Sequence, residues 1–214
     1  MKMDPRVYQQ ETSRYIAYPL GGIGSGMFCL EGGGALSHFS LFHRPDLWNE
    51  PEIFAALSFP QDGERRAVVL EGPVPDWKVF GQREGGRGAS GRTYGLPRFE
   101  ASDFSARFPF GTVCLSDSGL PVSAEVIGWS PLIPNDDYNS CLPAAAVEYT
   151  LKNGSGQDLD AVFSFHCASF LRPERDAPGV CRVTEAENGL AFTYREEGSC
   201  RNGWLRIDCG SHAE

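Results

Sequence analysis

The sequence lacks any long apolar run. No stretch approaches the roughly 20 residues that a membrane helix needs, and Met1-Lys2-Met3-Asp4-Pro5-Arg6-Val7-Tyr8 has no apolar centre of the kind a signal peptide carries. No transmembrane segment is read, and a cytoplasmic location is expected. Basic residues are also in short supply, 19 Lys and Arg against 28 Asp and Glu for a formal net charge of -9, so no cationic face is available to neutralise phosphates. Nucleic acid is excluded as a partner class. The seven cysteines, Cys29, Cys114, Cys141, Cys167, Cys181, Cys200 and Cys209, include no C-x-x-C pair and have no histidine at ligand spacing. Most are expected to be reduced, buried, small apolar residues, and no metal site is assigned. His38 and His43 stand five apart, which on a strand points them to opposite faces.

The common signatures of catalysis are missing as well. Gly22-x-Gly24 would need a third glycine at 27, where Met27 stands, and no Gly-Lys-Ser/Thr follows to make a P-loop. Gly21, Gly22, Gly24 and Gly26 therefore read as a structural glycine motif, serving a tight turn or a close backbone approach. Gly24-Ser25-Gly26 lacks the flanking spacings of a Gly-x-Ser-x-Gly nucleophile elbow. The adjacent acids Asp136-Asp137 and Glu196-Glu197 point to opposite faces on a strand or into solvent in a turn, which is unlike the facing carboxylates of glycoside hydrolysis. His166 lies on the less apolar face of an alternating segment and reads as a hydrogen-bonded surface group. No catalytic, cofactor-binding or metal-ligating residue is assigned, and no cofactor is expected.

What the sequence does contain is material for many short strands. Hydrophobic residues make up 41% and aromatics 12%, enough for a packed core, while 25 Gly and 15 Pro are spread along the whole length. Residues 1 to 15 are polar and read as a flexible lead-in, with the first ordered element at Ile16. Ile53 to Phe59 is a short apolar run that predicts a buried strand, joined through Gln61-Asp62-Gly63-Glu64 to a second strand over Arg66 to Glu71. Between Gly72 and Pro97 periodicity fails and a long surface loop pinned by aromatics is expected. Beyond it Phe104, Ala106 and Phe108, then Val113 and Leu115, then Val122, Ala124 and Val126 alternate with polar neighbours, predicting half-buried antiparallel strands. Val147, Tyr149 and Leu151 alternate likewise, and Asn153-Gly154-Ser155-Gly156 predicts a hairpin to Leu159 through Cys167. Asn188-Gly189 predicts another hairpin between Val180 to Thr184 and Leu190 to Tyr194, followed by a strand from Leu205 to Cys209. The fold class is all-β, an antiparallel β-sandwich over 16–214. Because the last strand has no closing partner in sequence, the natural domain is expected to continue past Glu214.

Ala17-Tyr18-Pro19-Leu20-Gly21-Gly22-Ile23-Gly24-Ser25-Gly26, followed by Leu41-Phe42-His43-Arg44-Pro45, resembles the opening of the N-terminal domain of glycoside hydrolase family 116, the non-lysosomal glucosylceramidase and β-glucosidase type. Val69-Leu70-Glu71-Gly72-Pro73, Tyr94-Gly95-Leu96-Pro97-Arg98-Phe99, Phe108-Pro109-Phe110-Gly111-Thr112-Val113 and Gly128-Trp129-Ser130-Pro131-Leu132-Ile133-Pro134 resemble that domain in the same order. The departure is Ser37-His38-Phe39-Ser40, where many members carry a more acidic phrase with tryptophan, so no role is carried over to that segment.

The resemblance implies a large N-terminal sandwich packed on a C-terminal (α/α) helical domain, which would hold the Glu nucleophile and the Asp acid/base of a retaining β-glucosidase. Neither carboxylate maps onto this chain. The implied partner is that helical domain, and the implied substrate is a β-glucoside or glucolipid. Trp48, Trp129, Asp136 and Asp137, in or beside loops, are the candidates for sugar or domain-interface contacts. Two other classes fit the same residues. Trp48, Trp77 and Trp129 near loops suit a freestanding carbohydrate-binding module, and the acidic charge with the glycine-rich loop at 81 to 95 suits an interaction scaffold.

Overall fold

A computed structural model of the chain describes residues 6–46, 50–80, 93–171, 179–198 and 203–208. The glycine-rich segment at 85 to 91, Trp48, Cys200 and Cys209 lie outside the described residues. The chain divides into two compact units, residues 1–167 and 168–214.

The first unit opens with β1 (Arg6–Tyr8), a short turn of helix α1 (Gln10–Ser13), β2 (Ala17–Leu20), β3 (Met27–Glu31) and β4 (Leu36–Ser40). It continues through β5 (Ile53–Gln61), β6 (Glu64–Val69), the short helix α2 (Asp76–Phe80), β7 (Ala101–Arg107), β8 (Phe110–Ser116) and β9 (Val122–Trp129). A further helical turn α3 (Asp137–Ser140), β10 (Ala146–Asn153) and β11 (Val162–Cys167) complete it. The strands form three antiparallel sheets, in the orders β1-β7-β8-β9-β10, β11-β5-β6 and β2-β3-β4. The all-β class expected from alternation is the one observed.

Alternation places the core. In β9, Val122, Ala124 and Val126 are buried while Ser123, Glu125 and Ile127 are only half-buried, and Val113 and Leu115 of β8 and Phe104 of β7 lie on the same inner face. Ile53, Ala55, Leu57 and Phe59 do the same for β5. Burying side chains of this size stabilises by about 1.5–3 kcal/mol each relative to exposure. The β2-β3 hairpin packs where this sheet has no side chains. A Cβ on Gly111 would lie 2.8 Å from the Tyr18 ring, and one on Gly128 would lie 2.6 Å from Leu20 and 3.0 Å from Leu30.

Several sequence expectations need correction. Residues 6–15 are not a structureless lead-in: Arg6–Tyr8 pair with Phe104–Ala106 of β7, and Ser13 is buried with its carbonyl against Gly32. Three residues are too short for periodicity to register. The hairpin expected at Asn153-Gly154 does not form. The β10 strand pairs with β9 and β11 with the edge of β5, because Asn153 accepts a bond from the Ser155 N–H (2.9 Å) while Gly154 N–H donates to Pro121 (2.8 Å), turning the chain across to the second sheet. Tyr149 and Phe163, ring centroids 5.6 Å apart, connect the two sheets there. Phe108 sits in the β7-β8 turn, 64% exposed, and not on the inner face. The run expected as a loop over 72–97 includes α2. Among the five described cysteines, Cys29 alone is buried; Cys114, Cys141 and Cys181 are exposed and Cys167 is half-buried. All five are free thiols. His166 is exposed as expected, stacked on Phe54 at 4.5 Å with Nε2 3.1 Å from Ser164 Oγ.

The second unit is a three-stranded antiparallel meander, β12 (Val180–Ala186), β13 (Gly189–Arg195) and β14 (Gly203–Asp208). Its β12-β13 hairpin closes on an Ala186–Gly189 pair, so Glu187 and Asn188 form the loop, one residue earlier than the Asn-Gly dipeptide predicts. Tyr194 is fully buried over Gly179, where a Cβ would lie 2.2 Å from its ring.

Candidate functional site

Two regions of the first unit concentrate chemistry, one on the surface and one buried. The surface region is built on the glycine motif. Gly21, Gly24 and Gly26 have φ of +144°, +72° and +98°, values that favour glycine, and together they turn β2 into β3. Gly22 is constrained by space: a Cβ there would lie 1.9 Å from the Leu142 carbonyl. Hydrogen bonds tie this turn to the loop that follows β9. Gly21 N–H donates to Ser130 Oγ (3.0 Å), Ile23 N–H to the Ser140 carbonyl (2.9 Å) and Ser25 Oγ to the Leu142 carbonyl (3.4 Å).

Within the second loop Asp136 caps α3, its Oδ1 accepting from Asn139 N–H (3.0 Å) and its Oδ2 from Asn139 Nδ2 (2.5 Å); these bonds lower the Asp136 pKa. Asp137 Oδ1 accepts from the neighbouring Tyr138 N–H (3.0 Å). The two braced loops hold Ile23, Ile133, Tyr138 and Leu142 out to solvent, with Tyr138 79% exposed. Exposed apolar side chains on braced loops make this surface a candidate interaction face.

Asp136 and Asp137 are thus brought into this surface with the four glycines. Trp129 is not: it ends β9 on the outer face, donating Nε1–H to Glu148 Oε1 (2.7 Å) across to β10. Trp48 lies outside the described residues. Ile23, Ile133 and Leu142 escaped the sequence reading, because a lone aliphatic residue in a loop gives no sign of whether it is covered.

The buried region lies under the β6-β7 connection. Lys78 of α2 has a side chain only 2% exposed, and its Nζ donates to both Glu31 oxygens (2.7 Å each) and to Glu50 Oε1. Tyr94 Oη donates to the other Glu50 oxygen (2.6 Å). Beside them Arg98 donates to Glu71 Oε2 through Nε (3.2 Å), with Nη2 in ion-pair contact with the same oxygen (3.1 Å), while its Nη1 donates to the carbonyls of Thr93, Tyr94 and Leu96. Burial lowers the Lys78 pKa against the pull of Glu31, and burial pushes Glu71 up to about 7 despite Arg98. Burial likewise lowers His38, whose Nδ1 lies 2.5 Å from Ser37 Oγ. A cavity of about 40 Å³ lies between these groups, room for a few waters. The sequence signal for this cluster was weak, a single lysine between Trp77 and Val79.

A facing pair of carboxylates in an open cleft would be needed for glycoside hydrolysis, and Glu31 and Glu50 fail on access, being 8% and 11% exposed and shared by one lysine. Among the described residues no group of three or more His, Cys, Asp or Glu could hold a metal. No helix among them is long and apolar enough to cross a membrane. Residues 17–200 match the sequence family described as beta-glucosidase 2, glycosyl-hydrolase family 116 N-term. The chain belongs to that family. A comparison with curated proteins finds no match. The family 116 N-terminal domain is one part of a larger glycoside hydrolase, and its matched region begins at Ala17, the first residue of β2, so both the glycine turn and the Lys78 cluster fall inside it.

Proposed function

We propose that this family 116 N-terminal domain is the non-catalytic partner of a retaining β-glucosidase, docking on the (α/α) helical catalytic domain of the same parent protein and shaping its active site. The observation that carries this reading is the surface formed by the glycine turn and the 130–142 loop, where Ile23, Ile133, Tyr138 and Leu142 stand exposed on backbone held by three cross-loop hydrogen bonds. Preorganised loops lose little entropy on association, and apolar side chains on them supply the favourable term. In this reading Asp136 and Asp137 line the edge of the interface, and the substrate is a β-glucoside or glucolipid whose sugar is held largely by the helical domain. A cytoplasmic setting goes with it, supported by the free thiols of Cys29, Cys114, Cys141, Cys167 and Cys181.

The test is association of this chain with the separately produced helical domain, followed by calorimetry. Ile23→Ser with Tyr138→Ser is expected to weaken binding at least tenfold with the melting of the isolated chain unchanged. Equal affinity for the variant and the unsubstituted chain would remove this surface as the docking face.

A further inference from the structure

Among the described residues, five other than glycine take positive φ: His38, Phe42, His43, Asp62 and Asn135. Three of them have a local reason. Asp62 turns β5 into β6 beside Gly63, and Asn135 precedes the Asp136 cap of α3; aspartate and asparagine tolerate the left-handed region because their short side chains can bond the nearby backbone. His38 is buried, with its Nδ1 2.5 Å from Ser37 Oγ, so packing and a hydrogen bond hold it. Phe42 and His43 are different. They are consecutive, both at φ +57°, and both are exposed, Phe42 by 42%.

Arg44 N–H donates to the Leu41 carbonyl (3.0 Å), so the pair fills both central positions of a turn of the I′ kind, where Asn-Gly is the favoured sequence. A residue with a Cβ loses roughly tenfold in population on entering the left-handed region, histidine less than phenylalanine. Exposed side chains recover little of that loss through packing. The turn is nevertheless held, because its base is clipped. Ser40 Oγ donates to the His38 carbonyl (3.1 Å) and accepts from Asp46 N–H (2.9 Å), joining the chain on either side. The glycine turn supports it from β3: a Cβ on Gly26 would lie 3.0 Å from Leu41 Cδ2 and 3.3 Å from the Ser40 carbonyl. Strained backbone that is fixed in place without local compensation points to a use in recognition.

We propose that the 41–44 turn is a second docking element for the helical domain, carrying Phe42 as a knob into an apolar pocket of that domain. This rests on the reading of the glycine turn as the docking face, with which the 41–44 turn is continuous through Gly26 and Leu41. A convex turn cannot enclose a small molecule, so the concave half of the contact comes from a macromolecular surface. An aromatic ring presented on a fixed backbone gives up little freedom on entering such a pocket, and phenylalanine is among the residues enriched in interface cores. The strain is the part of the turn's stability given up for that presentation.

Stability and binding should therefore move in opposite directions. The double variant Phe42→Asn with His43→Gly installs the favoured turn sequence, and the melting temperature of the chain is expected to rise by about 2–4 °C. Its calorimetric affinity for the separately produced helical domain is expected to fall about tenfold or more. His43→Gly alone relieves part of the turn and keeps the ring, so it should also melt higher while binding within about threefold of the unsubstituted chain. A double variant that melts at or below the unsubstituted chain overturns the proposal, and so does one that melts higher with affinity unchanged. The docking face is judged separately: loss of binding in Ile23→Ser with Tyr138→Ser but not in the double variant keeps that face and removes the 41–44 turn from it. Absence of any association by the unsubstituted chain removes both.

Discussion

Replacing Lys78 by methionine keeps the length and apolar stem of the side chain and removes a cation that Glu31 and Glu50 share. With the lysine 2% exposed and its partners 8% and 11% exposed, water cannot take over its three hydrogen bonds without rearrangement. Breaking a buried ion pair by deleting one partner costs roughly 3–5 kcal/mol, because the remaining charge is stranded. For a domain of this size that corresponds to a drop in Tm on the order of 10 °C. Urea unfolding followed by the fluorescence of Trp77, the neighbouring residue whose ring lies 5.7 Å from the Lys78 ammonium, reads the loss as a lower midpoint at unchanged slope. The origin of the loss is separable. Adding Glu31→Gln and Glu50→Gln to Lys78→Met removes the stranded charges and should recover most of the stability. A loss below about 1 kcal/mol, or a triple variant no more stable than Lys78→Met, would refute the view that burial makes this lysine indispensable.

Other outcomes follow from single contacts. Gly22→Ala places a methyl group 1.9 Å from the Leu142 carbonyl and should lower the melting temperature and weaken docking, whereas Gly24, with open space around its Cβ position, should tolerate Asn with little change in either. Thermal melts of the two variants check the contrast. Tyr18→Phe removes a buried hydroxyl that has no hydrogen-bond partner and should raise stability by about 1 kcal/mol in chemical denaturation. Gly128→Val drives a side chain into Leu20 and Leu30 and should cost roughly 1–3 kcal/mol or prevent folding, read from the soluble yield and the unfolding midpoint.

What could be read from the sequence was decided by local physics. Val122, Ala124 and Val126 announce an inner face because strand side chains alternate with period two, and Gln61-Asp62-Gly63-Glu64 announces the β5-β6 hairpin because Asp62 and Gly63 both take positive φ. Alternation tells which face is buried but not which strand lies alongside. For that reason the Asn153 turn reads as a hairpin when β11 in fact joins β5. Short β1 finds its place only through its partner β7, and nothing near Lys78 in sequence reveals Glu31 and Glu50, which come from 47 and 28 residues away. The glycine motif could be seen as conformational from its spacing. That it serves to seat Leu142 and to present Ile23 needed the tertiary structure.

The division of labour between this domain and a helical catalytic partner is tested most directly by turnover of an aryl β-glucoside. The chain alone should give no hydrolysis above buffer, and adding the separately produced helical domain should give an activity that saturates as the two approach equal concentrations. Turnover by the chain alone, or a helical domain equally active with and without it, would contradict the account.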